Sequence, residues 1–398
     1  MERIVHFGLG NFARAHLLDY TADAGGWDVV GVSLRSTAIR DGLKRQGFDY
    51  SLAVQGVGVK QINILSDVLV APENPSAVFD AMRRAQIISA SVTEKGYHLG
   101  PDGLLDLDDP AIQSDLSGCG PQTLIGFLTF HLANRTTPVT VMSCDNRVEN
   151  GAVLRGAVAR FAEAAKVAID WDLLAFPNAM VDRITPATTD ALRAQHDDAM
   201  VVPAEAFREW VIEDNFKAAR PDWPEVQFVS DVAPHELRKL RMLNGAHSLL
   251  AYAGLARGHR FVHEAIADSF LREQTLHLMA EAGASLPLVA QAQVPAYTNA
   301  LITRFENPAL EHRLAQIAMD GSQKVPYRFA QTLRAVEAPV VAIALKAWLQ
   351  YCVSETEAGR ALSDPLAKEL AQAARAPEPY QSILSLIECG DLARFIEE

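Results

Sequence analysis

Cysteine is scarce in this 398-residue chain, basic residues are outnumbered, and no apolar run is long enough to span a bilayer. Each shortage excludes something. The four cysteines, Cys119, Cys144, Cys352 and Cys389, are scattered, with no C-x-x-C pair and no histidines at metal-ligand spacing. That argues against a zinc module or a dithiol redox centre, and no metal is expected. Four cysteines can form two disulfides, but a chain of this size without a signal peptide is expected to keep them as thiols, in the cytoplasm. Against 49 acidic residues stand 36 lysines and arginines, a net charge of −13. The chain therefore lacks the basic surface that a nucleic-acid backbone or an anionic membrane requires. The first apolar run, in "MERIVHFGLG", ends in glycine too soon for a signal sequence. The longest later one, "PVVAIALKAWLQY", is broken by Lys346. No fixed repeat or low-complexity linker is present. A soluble chain of this length has room for two domains, and small-molecule chemistry becomes the default.

What is present begins with "RIVHFGLGNFARAHLLDYTADAG", which has the form of a short strand, a glycine-rich turn and a helix. Gly8, Gly10 and Ala13 fit G-x-G-x-x-G/A, a weak pattern alone but stronger between a strand and a helix. Gly8 would permit the tight turn and Gly10 would admit a pyrophosphate to the backbone, while the helix start favours its negative charge. Asn11 and Phe12 follow directly and join these glycines as candidate cofactor contacts. Further β-branched runs at Trp27 to Arg35, Gln86 to Glu94 and Pro138 to Asn146 alternate with helical stretches such as "PSAVFDAMRRA". They predict an α/β fold, a Rossmann-type doubly wound parallel sheet with helices on both faces. Ligands in such sheets bind beyond the carboxyl ends of the strands, where Thr93 and Glu94 end one run and Asp145 and Asn146 another. The acidic residue that ordinarily ends the second strand and holds the NAD ribose is missing. "VSLRST" offers Arg35, suited either to a 2'-phosphate or to stacking on adenine. NAD is the expected cofactor, with NADP open.

Beyond about residue 225 the periodicity becomes helical, so residues 1–225 are read as the dinucleotide-binding domain and 226–398 as a mainly α-helical substrate and catalytic domain. Its opening helix carries Lys239, Asn244 and His247 among apolar residues. At about 100° per residue, Asn244 falls about 140° from Lys239 and His247 about 80°, with Glu236 on the same arc and Arg238 and Arg241 opposite. This is either a solvated face or a polar set able to hold an alcohol oxygen and move its proton.

The lysine pattern K-x-x-x-x-N-x-x-H, with "GLGNFARAH", "TEKGY", "SCDN", "FPNAMVDRITP", "VIEDNF" and "DGSQK" in order, resembles the mannitol dehydrogenase family. These are long-chain, metal-independent polyol dehydrogenases that include the fructuronate and tagaturonate reductases. The resemblance implies an active site between the two domains, with Lys239 as general acid and base, Asn146 and Asn244 beside the reacting oxygen, and His247 binding substrate. Burial would lower the ordinary lysine pKa of about 10.4 towards that task. Glu236 is read as a proton relay or as an i, i+3 ion-pair partner, and His247 on its own as a substrate ligand or a core histidine. Asp182, in "VDRITP", is read as substrate-binding polar support or as a turn cap. The chain is shorter than mannitol 2-dehydrogenases, which leaves the substrate pocket open. A polyol and ketose pair is expected, with a hexuronate as the alternative. A uronate would need a cationic clamp, for which Arg304 and Lys324 are the candidates; both are equally readable as surface cations. A non-catalytic dinucleotide sensor is the remote alternative, since a sensor has no reason to keep the lysine and asparagine set. A monomer or small homo-oligomer is expected.

Overall fold

The structure is a computed structural model that describes residues 2–396; the side chain of Glu94 is outside the described residues. It divides into two compact units, Met1–Val232 and Ala233–Glu398.

The first unit is built on twelve strands: β1 (Glu2–Phe7), β2 (Trp27–Ser33), β3 (Tyr50–Val54), β4 (Gly58–Ile62), β5 (Leu65–Val70), β6 (Ile87–Ala90), β7 (Val139–Ser143), β8 (Leu174–Ala175), β9 (Ala179–Asp182), β10 (Val202–Ala204), β11 (Glu209–Glu213) and β12 (Gln227–Val229). Six of them form a sheet in the order β5-β2-β1-β6-β7-β8. Every neighbouring pair in it is parallel. The order reverses between β1 and β6, which makes a switch point at the carboxyl end of β1.

Both faces of this sheet are buried, so its strands read as nearly continuous apolar runs. Val5, Val30, Ile88 and Val141 face one core, packed with Met82, Phe127, Leu128, Leu154 and Phe161 from covering helices. Their neighbours Ile4, Val29, Ile87 and Met142 face the other. That second core differs from the expected layer of helices. Beside Leu17, Leu18 and Tyr20 it contains Tyr50 and Leu52 of β3, Val202 of β10 and Trp210 of β11. Two three-stranded sheets, β10-β3-β4 and β12-β11-β9, supply those strands. They are short and partly polar, and give little periodicity to read.

The second unit is helical. A continuous run from Ala233 to Ala256 is α-helical at both ends and forms a π turn over Lys239–Asn244. Its last segment, Gly245–Ala256, packs against the helices Ser269–Ala284, Leu314–Ile317 and Pro339–Glu357. Gly254 lets one neighbour approach closely, since a Cβ there would lie 2.8 Å from Leu314 Cδ1. The stretch from Val262 to Ala284 is split by Asp268, whose carboxylate caps the helix after it through the N–H groups of Phe270 and Leu271. No described helix is long and apolar enough to cross a membrane. The four cysteines are unpaired.

Candidate active site

β1 delivers the chain to Gly8, whose φ of +88° lies in the left-handed region. A Cβ at this position would sit 2.1 Å from the Ser91 carbonyl oxygen, so the turn admits only glycine. Around Gly10 there is no heavy atom within 4 Å of a Cβ position, which leaves the backbone open to approach. Asn11 is engaged elsewhere: its amide donates to the Pro186 carbonyl and to Thr188 Oγ1, and its Oδ1 accepts from Arg14. The Phe12 ring stacks on His16.

Past the ends of β2 and β5 lies a cavity of about 420 Å³, lined by Leu34, Arg35, Pro72, His98 and Gln122 among others. That is large enough for an adenosine moiety. Among the described residues that line it none is acidic, and Arg35 supplies its guanidinium. The glycine turn and this cavity fit a dinucleotide. Thr93 is exposed just before the single helical turn Glu94–Tyr97; the side chain of Glu94 lies outside the described residues.

At the end of β7, Asn146 is exposed while its neighbour Asp145 is held from several sides. The Tyr97 hydroxyl lies 2.7 Å from Asp145 Oδ2 and 2.5 Å from Ser143 Oγ, and the Val92 N–H donates to the same carboxylate. The Asn150 amide donates to the carbonyls of Ser143, Asp145 and Ala179. The backbone on either side of Asn146 is therefore fixed to β9 and to the loop after β6. Asp182, at the end of β9, is buried. Arg183 turns towards the first helices, donating to the Ala15 carbonyl and pairing with Asp19 at 2.5 Å.

In the second unit, Glu236, Lys239 and His247 are all buried, with Lys239 only 8% exposed. Asn244 is half-buried, so three members of the polar set are withdrawn from solvent and the fourth partly so. An α-helix would set Lys239 and Asn244 about 140° apart. A π turn closes its hydrogen-bonded ring at the fifth residue, so Asn244 takes the place that the fourth residue holds in an α-helix, near the face of Lys239. Arg238 and Arg241 lie on other sides: Arg238 reaches Gln293 and the Tyr297 ring, Arg241 reaches Ser285 and Gln331. The His247 ring packs against Phe305 and His312, with centroids 4.8 and 5.1 Å away. Burial, then His312, Arg304 and Arg328, push its pKa well below the usual histidine value, so it is neutral. Arg304 is buried in the same unit. Lys324 donates to the Met319 and Ile317 carbonyls at 2.5 and 3.4 Å. Among the described residues no group of three or more His, Cys, Asp or Glu side chains is placed to hold a metal ion.

Residues 2–225 match the Mannitol dehydrogenase Rossmann domain and residues 231–396 the Mannitol dehydrogenase C-terminal domain. The chain belongs to the mannitol dehydrogenase family. Among its relatives, D-mannonate oxidoreductase of Escherichia coli (strain K12) is 37% identical over 92% of this chain and 84% of its own length. Mannitol 2-dehydrogenase of Phaeosphaeria nodorum (strain SN15 / ATCC MYA-4574 / FGSC 10173) is 36% identical over the whole of this chain and 78% of its own. The crystal structure of D-sorbitol dehydrogenase in substrate-free form matches 99% of this chain and 91% of that one, with a TM-score of 0.88 at 30% identity. Pseudomonas fluorescens mannitol 2-dehydrogenase, in a ternary complex with NAD and D-mannitol, matches 99% of this chain and 89% of its own, with a TM-score of 0.79 at 32% identity. The chain is thus an oxidoreductase of this family. Two features of this member carry no sequence signal: the π turn, which has no proline or glycine within it, and Arg328, discussed below. Tyr97 and Asp145 fall in the quoted segments "TEKGY" and "SCDN", but only the fold reveals that they meet.

Proposed function

We propose that this mannitol dehydrogenase family member interconverts a sugar alcohol and its ketose with NAD, using Lys239 as general acid and base. The observation that carries the reading is a buried lysine on a π turn that brings Asn244 towards its own face. A buried amine is more easily held neutral, as a base must be. Gly8, Gly10 and Arg35 are the residues that would hold the coenzyme. When bound, NAD supplies the hydride acceptor for oxidation and, reduced, the donor for ketone reduction. Lys239 Nζ takes the hydroxyl proton as the alcohol is oxidised and returns it in the reverse direction. The amide groups of Asn146 and Asn244 donate to the same oxygen without titrating, and so stabilise its developing charge. Neutral His247 hydrogen-bonds a neighbouring hydroxyl, Asp182 and Arg304 bind further along the substrate, and Glu236 passes the proton between Lys239 and solvent. The hydrogen bonds of Lys324 to two backbone carbonyls favour a neutral polyol over a hexuronate, because they leave one of the two candidate cations with fewer donors for a carboxylate clamp.

The test is initial rate against mannitol, arabinitol, sorbitol, fructose, fructuronate and tagaturonate, each with NAD(H) and NADP(H). Turnover of neutral polyols with NAD is expected. Turnover confined to the uronates would replace the polyol assignment with the hexuronate one. Lys239→Met should abolish turnover while NADH still binds, as read by fluorescence titration. Near wild-type rates in that variant would refute the base assignment.

A further inference from the structure

Arg328 lies in a second π turn, Pro326–Ala330, within the helical run that begins at Gly321. Proline explains why that run departs from an α-helix: Pro326 has no N–H to donate and its ring crowds the carbonyl four residues back. The wider turn relieves the crowding. The two π turns pack together. The Arg328 carbonyl and the Phe329 ring each lie 3.9 Å from the position a Gly245 Cβ would occupy, one residue beyond the first turn. From this second turn the guanidinium reaches across to the first. Arg328 Nη1 donates to the Asn244 carbonyl at 3.2 Å and to Ser248 Oγ at 2.8 Å. Burial pulls the Arg328 pKa down to about 10, with Tyr252 the opposing influence. Its contacts are with a carbonyl and a hydroxyl, and no carboxylate neutralises it among the described residues.

A half-buried guanidinium without an acidic partner is costly to keep for packing alone. π turns are rare and usually occur as single turns within α-helices, often at functional sites. This one sets the angular relation between Lys239 and Asn244, and its last carbonyl is the one that Arg328 holds. We propose that Arg328 is a positioning residue: its bond to the Asn244 carbonyl, with Ser248 as a secondary acceptor, holds the Lys239–Asn244 π turn in the register that places the lysine and the asparagine amide at one oxygen. The proposal rests on the acid and base reading of Lys239. It goes beyond that reading in assigning a role to a residue outside the K-x-x-x-x-N-x-x-H pattern.

The full-length protein, Arg328→Met, Arg328→Lys and Ser248→Ala are compared on the fastest substrate of the panel above. NADH affinity, thermal midpoint and amide hydrogen exchange of the Lys239–Gly245 segment are measured alongside. Arg328→Met should lower kcat by roughly 10²-fold, the scale of a misplaced catalytic group. It should also speed exchange in the segment by at least about tenfold, with NADH affinity unchanged. Arg328→Lys, which can still reach one acceptor, should recover part of kcat. Ser248→Ala, which leaves the bond to the Asn244 carbonyl, should lose no more than about threefold. A raised KM with unchanged kcat in Arg328→Met would make Arg328 a substrate ligand and overturn the proposal. So would a kcat loss that follows the thermal midpoint and is not recovered by lysine. The two readings fail separately: an active Lys239→Met refutes the base, whereas an inactive Lys239→Met with a fully active Arg328→Met refutes only the positioning role.

Discussion

Asp145 has a carboxyl that burial pushes up to about 6, against hydrogen bonds from Tyr97, Val92 and Ser143 that favour its charged form. In the unfolded chain the same group titrates near 3.9, so the folded state holds the proton more tightly. The sign follows from that difference. The contribution of Asp145 to stability is fully present below about pH 3.9 and is lost as pH rises through about 6. With allowance for partial contact with water, ionisation at pH 7 costs on the order of 2 kcal/mol. An asparagine in its place would keep an oxygen able to accept from Tyr97 and Val92 without carrying charge. Asp145→Asn should therefore be more stable than the wild type at pH 7.5, by up to about 2 kcal/mol in urea unfolding, and the difference should vanish at pH 4. An equal difference at both pH values would show that the charge is not what matters. In the proposed mechanism the neighbouring amide, that of Asn146, donates to the reacting oxygen. Asn146→Ala and Asn244→Ala should each lower kcat by roughly 10²-fold, as loss of one oxyanion donor does. Steady-state rates at saturating substrate check this, and a change confined to KM would remove either residue from the reacting oxygen.

At the scale of elements, the parallel strands of the main sheet were readable because burial on both faces gives them unbroken apolar runs ending in polar residues. β2, β6 and β7 fall within the runs that begin at Trp27, Gln86 and Pro138. Short strands such as β8, with two residues, and β12, with three, leave no such trace. The helix bearing Lys239 was legible as a helix, and the polar character of one face was visible in its composition. Its pitch was not. A rotation of 100° per residue keeps Lys239 and Asn244 well apart, and only the backbone hydrogen bonding of the π turn changes that. Arg328 illustrates the other limit. It lies 84 residues from Asn244, in "VPYRFAQTL", where nothing in the local pattern distinguishes it from a surface arginine. Asn11 shows the same limit in reverse: it sits in the glycine-rich segment, yet its side chain ties that segment to Pro186 and Thr188.

Across the first unit as a whole, distant parts of the chain converge on Asp19. Its carboxylate, 4% exposed, pairs with Lys60 at 2.5 Å, Arg183 at 2.5 Å and Arg208 at 2.9 Å, joining a helix that follows the glycine turn to β4, to the segment after β9 and to the start of β11. Arg208 and Lys60 also reach Asp23, and Arg208 lies over the Tyr20 ring. Burial alone would push the Asp19 carboxyl up, but Lys60 and Arg183 outweigh it and hold the group below the usual carboxylate range. A lowered value means that this stability is present above about pH 4 and is lost as pH falls through the folded-state pKa. Asp19→Asn leaves Arg183, whose side chain is 2% exposed, without its counter-charge. Removing one member of a buried pair typically costs about 3 to 5 kcal/mol, far more than a surface pair. Four of the five tryptophans, Trp27, Trp171, Trp210 and Trp223, belong to this unit, so tryptophan fluorescence during urea unfolding reports chiefly on it. Asp19→Asn should shift that transition by about 3 kcal/mol or more at pH 7, and by progressively less as the pH is taken below 4. A shift under about 1 kcal/mol at neutral pH would mean that the network is no stronger than surface ion pairs, and that the apolar packing around Tyr20 and Trp210 holds the glycine turn in place without it.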